Sequence, residues 1–328
     1  MPFSRFDSDL DFIPIDGIAA EQAASWRSFA GAQAAHESAA ILRALRDLAP
    51  VHAGIEKTLG QVIDSALANP GRAMRYRLAY LTSVARGHGG FQARLLACAV
   101  EYFHVASLLF DDLPQMDDAM ERRGQICLHL LHGENAVMLG ALALVTRAYA
   151  LIGEAIVHAS AETRLAIHAQ VEQCLGTAGV INGQARDLKF TAGSRGTGGP
   201  IAIALGKTVP LLTLAMVAPA RLGNAPEAEI RLLRRLSVYW GLYYQGLDDL
   251  KDLLERAETS GKTSGRDVPL GRPNIARELG TAQTCVYLRR LGKLSERCIV
   301  EIARSHLPSR FLFAFQLALT QGLESLVQ

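Results

Sequence analysis

From about residue 38 the apolar positions recur every three to four residues, the period of a helix face. Ile41, Leu42, Leu45 and Leu48 make one stripe, and Val51, Ile55, Leu59 and Val62 extend it past Pro50. Asn69-Pro70-Gly71 predicts a turn, after which Gly71 to Arg77 opens the next helix. Residues 91–113 read as one long apolar helix, and Gly133-Glu134-Asn135 opens another that runs to about His158. Further helices are expected over 162–179, 201–217, 228–255, 275–307 and 310–326. Between them, residues 191–200 hold five glycines or prolines in ten, which predicts a surface loop able to serve as a lid. Residues 1–36 are polar and weakly patterned, and read as a poorly ordered extension with one helical turn near 19–29. The expected fold class is all-α: one large helical domain over 37–328 around an apolar interior, with no internal repeat and no low-complexity run.

Composition sharpens this picture. The chain has 328 residues, 49% of them hydrophobic and only 6% aromatic, with many Ala and Leu, which favours helices over sheets. A net charge of +2 carries no polyelectrolyte signature, so nucleic acid is not an expected partner. Cys98, Cys127, Cys174, Cys285 and Cys298 are scattered without CxxC spacing and read as reduced thiols in a cytoplasmic protein. Asp7, Asp9, Asp11 and Asp16 argue against a secretory signal or transit peptide. No uninterrupted apolar run reaches the 18 or so residues of a membrane helix, since the run beginning at Ala136 is stopped by Arg147, so no membrane span is expected.

Two acidic knots interrupt the apolar pattern. In Asp111-Asp112-Leu113-Pro114-Gln115-Met116-Asp117-Asp118, four carboxylates fall within eight residues. Acids crowded this closely repel unless a cation sits among them, and Mg²⁺ is the hard ion that takes one or two carboxylates together with substrate phosphates. Asp111 and Asp117 would point apart on an unbroken helix, but Pro114 breaks it and lets the chain curl back. The second knot is Asp248-Asp249-Leu250-Lys251-Asp252, where Gln245, Asp248 and Asp252 share a helix stripe about 60° wide. The alternative for either knot is a solvated acidic turn.

Basic residues accompany both knots. Arg72, Arg75 and Arg77 stand at a helix start, where they oppose the macrodipole, and Arg forks match phosphate oxygens. His104 lies two turns before Asp111 on the same face, and Ser107 one turn before it. Arg122 and Arg123 follow the first knot. Asn182-Gly183-Gln184-Ala185-Arg186-Asp187 is an unusual polar cluster for so apolar a chain, and Lys207, amid Ile, Ala and Leu, must snorkel or find an anion. Gly206-Lys207-Thr208 lacks the upstream glycine and strand of a P-loop. Lys262 stands in a glycine-rich basic loop after the second knot.

Taken together these residues resemble the trans-isoprenyl diphosphate synthases, the head-to-tail prenyltransferases, over roughly 40–328. The DDxxxxD form at 111–117 followed by Arg122-Arg123-Gly124 is the most specific part, and DDLKD at 248–252, GQARDL at 183–188, Lys207-Thr208, Gln245 and Lys262 fall in family order. The resemblance implies the isoprenoid synthase fold, a homodimer, and three Mg²⁺ held by Asp111, Asp112, Asp117, Asp248 and Asp252. It implies that Arg122, Lys207, Thr208, Gln245 and Lys262 grip an allylic diphosphate, while Arg72, Arg75, His104 and Arg123 bind isopentenyl diphosphate. The reaction implied is ionisation of the allylic diphosphate, attack by isopentenyl diphosphate and loss of a proton. The resemblance also places Ala106, with Ser107 beside it, against the growing chain. Both are small where C15 synthases carry an aromatic, so geranylgeranyl diphosphate (C20) is the expected product, with Phe103, Leu130 and Leu131 as possible deeper closures. The chain departs from the family at Arg72 and Ala73, where Lys-Arg is usual, at Ala141 in place of Asp, and at Asn182 and Arg272. A farnesyl diphosphate synthase, a terpene cyclase or head-to-head synthase on the same fold, and a regulatory subunit are the alternatives.

Overall fold

The computed structural model describes residues 32–190, 198–260, 273–304 and 309–327. Leu42–Gln328 forms one compact unit. Among the described residues the architecture is helical: α1 Ala32–Asp47, α2 Lys57–Ala68, α3 Met74–Ala85, α4 Gly90–Asp111, α5 Leu128–His132, α6 Glu134–Ala155, α7 Ala161–Leu175, α8 Val180–Leu188, α9 Gly198–Lys207, α10 Val209–Leu222, α11 Glu227–Ser260, α12 Ile275–Leu279, α13 Thr281–Arg304 and α14 Arg310–Val327.

The core forms around α4. Ala93, Ala97, Ala99 and Ala106 are buried along it, and these small side chains let α3, α6 and α10 approach closely. Among the described residues one hairpin, β1 Glu121–Arg122 against β2 Gln125–Ile126, follows the first acidic knot. Arg123 (φ 53°) and Gly124 (φ 73°) make its two-residue turn, in the doubly left-handed form that suits hairpin twist.

Helix breaks occur where local chemistry overrides the apolar period. Expected as one helix, 201–217 is two, because Pro210 has no N–H to give the carbonyl of Gly206. Gly280 at φ 77° likewise splits 275–307 into α12 and α13. Past Pro50 the stripe gives way to a loop, and Glu56 restarts the helix by accepting the N–H of Leu59 at 2.8 Å. Residues 198–200, expected in the loop, begin α9.

One expectation needs correction. Gly90–Asp111, Glu134–Ala155 and Gly199–Leu222 are each long and apolar enough, by length and composition, to cross a membrane. Counting uninterrupted runs stopped at single charges such as Arg147, whereas a helix of this length tolerates one or two. In the first and third, 72% of the apolar window is buried inside the bundle, so packing accounts for its character. Glu134–Ala155 buries only 39%, and Met138, Leu139, Leu142 and Tyr149 face outward.

Candidate active site

The first acidic knot folds as Pro114 predicts. Helix α4 ends at Asp111, and the N–H of Asp117 returns to the carbonyl of Asp111 at 2.9 Å. Asp118, at φ 48°, continues the curl by donating to the carbonyl of Leu113. The two aspartates that sequence spacing alone separates are thereby neighbours. Burial pushes the Asp111 carboxyl up to about 6, against the pull of Lys207 and with the added repulsion of Asp117.

Asp112 points elsewhere, as a 100° step per residue requires. It shares a face with Val105, Leu108 and Leu109 around a cavity of about 80 Å³. There Arg122 donates to its Oδ1 at 2.6 Å.

Lys207 decides the site. Its Nζ donates to Asp187 Oδ2 at 2.7 Å and lies 3.5 Å from Asp111 Oδ2. Burial pulls the ammonium down, but Asp111 and Asp187 outweigh it, and its pKa ends above the ordinary lysine value. The next residue, Thr208, donates from Oγ1 to Gln245 Oε1 at 3.0 Å, and Gln245 Nε2 in turn donates to Asp249 Oδ1 at 2.9 Å. Asp249 also accepts the N–H of Ile275 at 2.7 Å, which ties the second knot to α12. The kink between α9 and α10 thus spans both acidic knots: one residue reaches Asp111 and its neighbour reaches the helix turn that carries Asp248. Asp248 and Asp252 themselves are exposed.

The geometry at Lys207 depends on two glycines. A Cβ on Gly183 would lie 2.3 Å from the Gly206 carbonyl carbon and 2.5 Å from the Lys207 nitrogen. Helices α8 and α9 therefore touch backbone to backbone, which brings Asp187 to Lys207.

A second basic group lies along α4. Arg75 Nη1 is 3.1 Å from His104 Nε2. A guanidinium can only donate, so Nε2 accepts and the imidazole carries its proton on Nδ1. Burial first, then Arg75, Arg123 and Arg122, hold His104 well below its ordinary pKa, and it is neutral at pH 7. Arg123 Nη1 donates to the carbonyl of Asn69 at 2.7 Å, and its guanidinium crosses Gly71, where a Cβ would lie 2.8 Å from Cζ. Arg72 is exposed at the rim.

The remaining candidates place as follows. Ala106 is 1% exposed and Ser107 is half-buried, its hydroxyl donating to the His104 carbonyl at 2.8 Å. Phe103 is buried edge-on against Tyr149 at 5.2 Å between centroids. Leu130 and Leu131 lie on the surface, 46% and 57% exposed. Lys262 and Arg272 lie outside the described residues.

This set suits a hard divalent cation. Among the described residues no three carboxylate, imidazole or thiol groups converge on one point. An ion that completes its shell with phosphate oxygens and water needs only one or two carboxylates, and Asp111 with Asp117 supplies them as two neighbouring acids that repel one another.

Residues 56–281 match the model of the polyprenyl synthetase family. The chain belongs to that family. A geranylgeranyl diphosphate synthase of Pantoea ananas is 31% identical over 278 residues, which cover 83% of this chain and 89% of that one. A chloroplastic geranylfarnesyl diphosphate synthase of Leucosceptrum canum is 33% identical over 246 residues, 68% of this chain and 66% of its own length. The chain thus spans about two thirds of that plant relative. The fold is that of the isoprenoid synthases: a geranyltransferase from Legionella pneumophila superposes with TM-score 0.75 at 20% identity, over 93% of this chain and 98% of that one. An FPP/GFPP synthase from Zymomonas mobilis gives 0.72 at 21% identity, over 92% and 98%. The sequence pattern includes Asp187 in a polar cluster and Asp249 in the second knot without giving either a role, and it does not single out Glu101. For Glu101 the available signal was a carboxylate inside an apolar helix pattern.

Proposed function

We propose that this protein is a Mg²⁺-dependent prenyltransferase that joins isopentenyl diphosphate head to tail with an allylic diphosphate, giving geranylgeranyl diphosphate (C20). One observation carries the reading: the Lys207-Thr208 kink spans both acidic knots while a separate basic group, Arg75 and Arg123 with His104 of the helix that carries Asp111, stands apart from it. Two anionic groups thus have two places to bind. Incubation with labelled isopentenyl diphosphate, Mg²⁺ and C5, C10 or C15 primers tests it. Incorporation into C20 supports the reading, and no incorporation with any primer refutes it.

In this reading Asp111, Asp117, Asp248 and Asp252 hold Mg²⁺, which when bound draws negative charge off the departing diphosphate. Lys207, with Thr208 and Gln245 behind it, orients that diphosphate and balances the charge left on it. Arg75, His104 and Arg123 hold the second diphosphate so that its double bond faces the allylic C1, and His104 donates from Nδ1. The buried apolar residues around α4 keep water from the cation until a proton leaves to the released diphosphate.

Product length follows from the wall below Asp111. Ala106→Phe adds a ring to the path of the growing chain, and its expected result is a shift of the main product from C20 to C15, read by chromatography of the dephosphorylated products. An unchanged C20 product would refute the wall assignment.

The outward face of α6 supports a homodimer. Met138, Leu139, Leu142 and Tyr149 would be covered by a second copy, as large exposed apolar patches usually are. Light scattering is expected to give twice 35.4 kDa, and Leu139→Glu/Leu142→Glu to give the monomer. The five cysteines are free and buried, which supports a reducing, cytoplasmic setting.

A further inference from the structure

Glu101 is 1% exposed on α4, ten residues before Asp111. Its Oε2 accepts the backbone N–H of Tyr76 at 3.0 Å. Tyr76 is the third residue of α3, whose N-cap is Ala73, left-handed at φ 42° and with no side-chain acceptor. A helix start leaves its first N–H groups without intrahelical partners. Glu101 supplies the missing acceptor from another helix, as an aspartate or serine at the N-cap would from its own.

The Glu101 carboxylate also acts electrostatically on Arg75, the residue before Tyr76. The Arg75 side chain is half-buried with its Nε inside, and it cannot shed its proton, so it needs a carboxylate nearby. Burial raises the Glu101 pKa, while Arg75, the Tyr76 N–H and Arg123 pull it back. Arg75 Nε and Glu101 Oε1 make no hydrogen bond among the described residues. The carboxylate therefore acts on Arg75 through charge and through the start of α3, while Arg75 Nη1 stays turned to His104.

We infer that Glu101 is a positioning residue of the isopentenyl diphosphate subsite: it caps α3 and balances Arg75, and so fixes Arg75 against His104. The inference rests on the transferase reading above and adds to it a residue that touches neither substrate.

Glu101→Gln keeps an oxygen for the Tyr76 N–H and removes the charge, whereas Glu101→Asp keeps the charge on a shorter arm. In Glu101→Gln the KM for isopentenyl diphosphate is expected to rise about tenfold, and that for the allylic diphosphate to change less than about twofold. Glu101→Asp should recover part of the loss. Arg75→Ala should raise the same KM, and adding Glu101→Gln to it should change nothing further, because the effect passes through Arg75. If Glu101→Gln alone does not fold, the Glu101→Asp variant and the double variant, which lacks both buried charges, carry the same comparison. Equal rises in both KM values, or additive effects in the double variant, would overturn the role. Incorporation by the unmodified protein with an unchanged KM in Glu101→Gln would overturn this role alone. No incorporation by the unmodified protein would overturn the transferase reading and this role with it.

Discussion

Asp111→Asn is expected to lower kcat by about 10³ while leaving the metal-free protein folded and no less heat-resistant near neutral pH. The activity loss follows from position: Asp111 is the buried member of the acid pair and the carboxylate Lys207 approaches at 3.5 Å. The stability expectation follows from linkage. Burial raises its folded pKa to about 6 from 3.8, so the folded state holds the proton more tightly than the unfolded chain. The stability this contributes is fully present below 3.8 and is lost as pH rises through about 6, up to about 3 kcal/mol. In EDTA the unmodified protein should therefore melt at a lower temperature at pH 7.5 than at pH 5.5. Asp111→Asn should reduce that difference, leaving the part due to Asp249, whose carboxyl burial also raises to about 6. Wild-type turnover in this variant would remove Asp111 from the metal site, and an undiminished pH dependence would remove it as the source of the strain.

Lys207→Met is expected to lower kcat by about 10² or more and to raise the allylic KM, with the opposite effect on stability. Asp187 and Asp111 would lose the cation between them, at 2.7 and 3.5 Å. Removing one partner of a fully buried pair costs about 3–5 kcal/mol, and because the Lys207 side chain is 27% exposed, about 1–3 kcal/mol is expected here. Adding Asp187→Asn should recover part of the melting temperature and none of the turnover. Recovery of turnover would mean that Lys207 serves only to neutralise Asp187.

The contrast between these two variants shows how the site is built. The acids are held in place at a cost to the empty protein, and the lysine offsets that cost without removing it. A site of this kind gains when a cation and a diphosphate enter, which is where the stabilisation is useful.

Much of this was legible in the chain. Pro114 broke the helix where the curl needed it, and the i,i+4 spacing of Asp248 and Asp252 placed them on one face. The turn of Asp112 away from Asp111 was implicit in the 100° step, but its partner Arg122 comes from a hairpin whose turn type depends on Arg123 accepting a left-handed backbone. The split at Thr208 was written in Pro210, yet the apolar period there is strong enough to mask it. The pairing of Lys207 with Asp187 and the capping of α3 by Glu101 are contacts between helices, and residue spacing within one helix carries no trace of them.

Gly183 and Gly206 have a further consequence. Where two helices meet with nothing between their main chains, a single methyl acts as a wedge, and the displaced part is the peptide that carries the ammonium. Alanine at either place would leave every charged group chemically intact and still put the salt bridge out of register. Loss of turnover in such a variant would report on spacing alone.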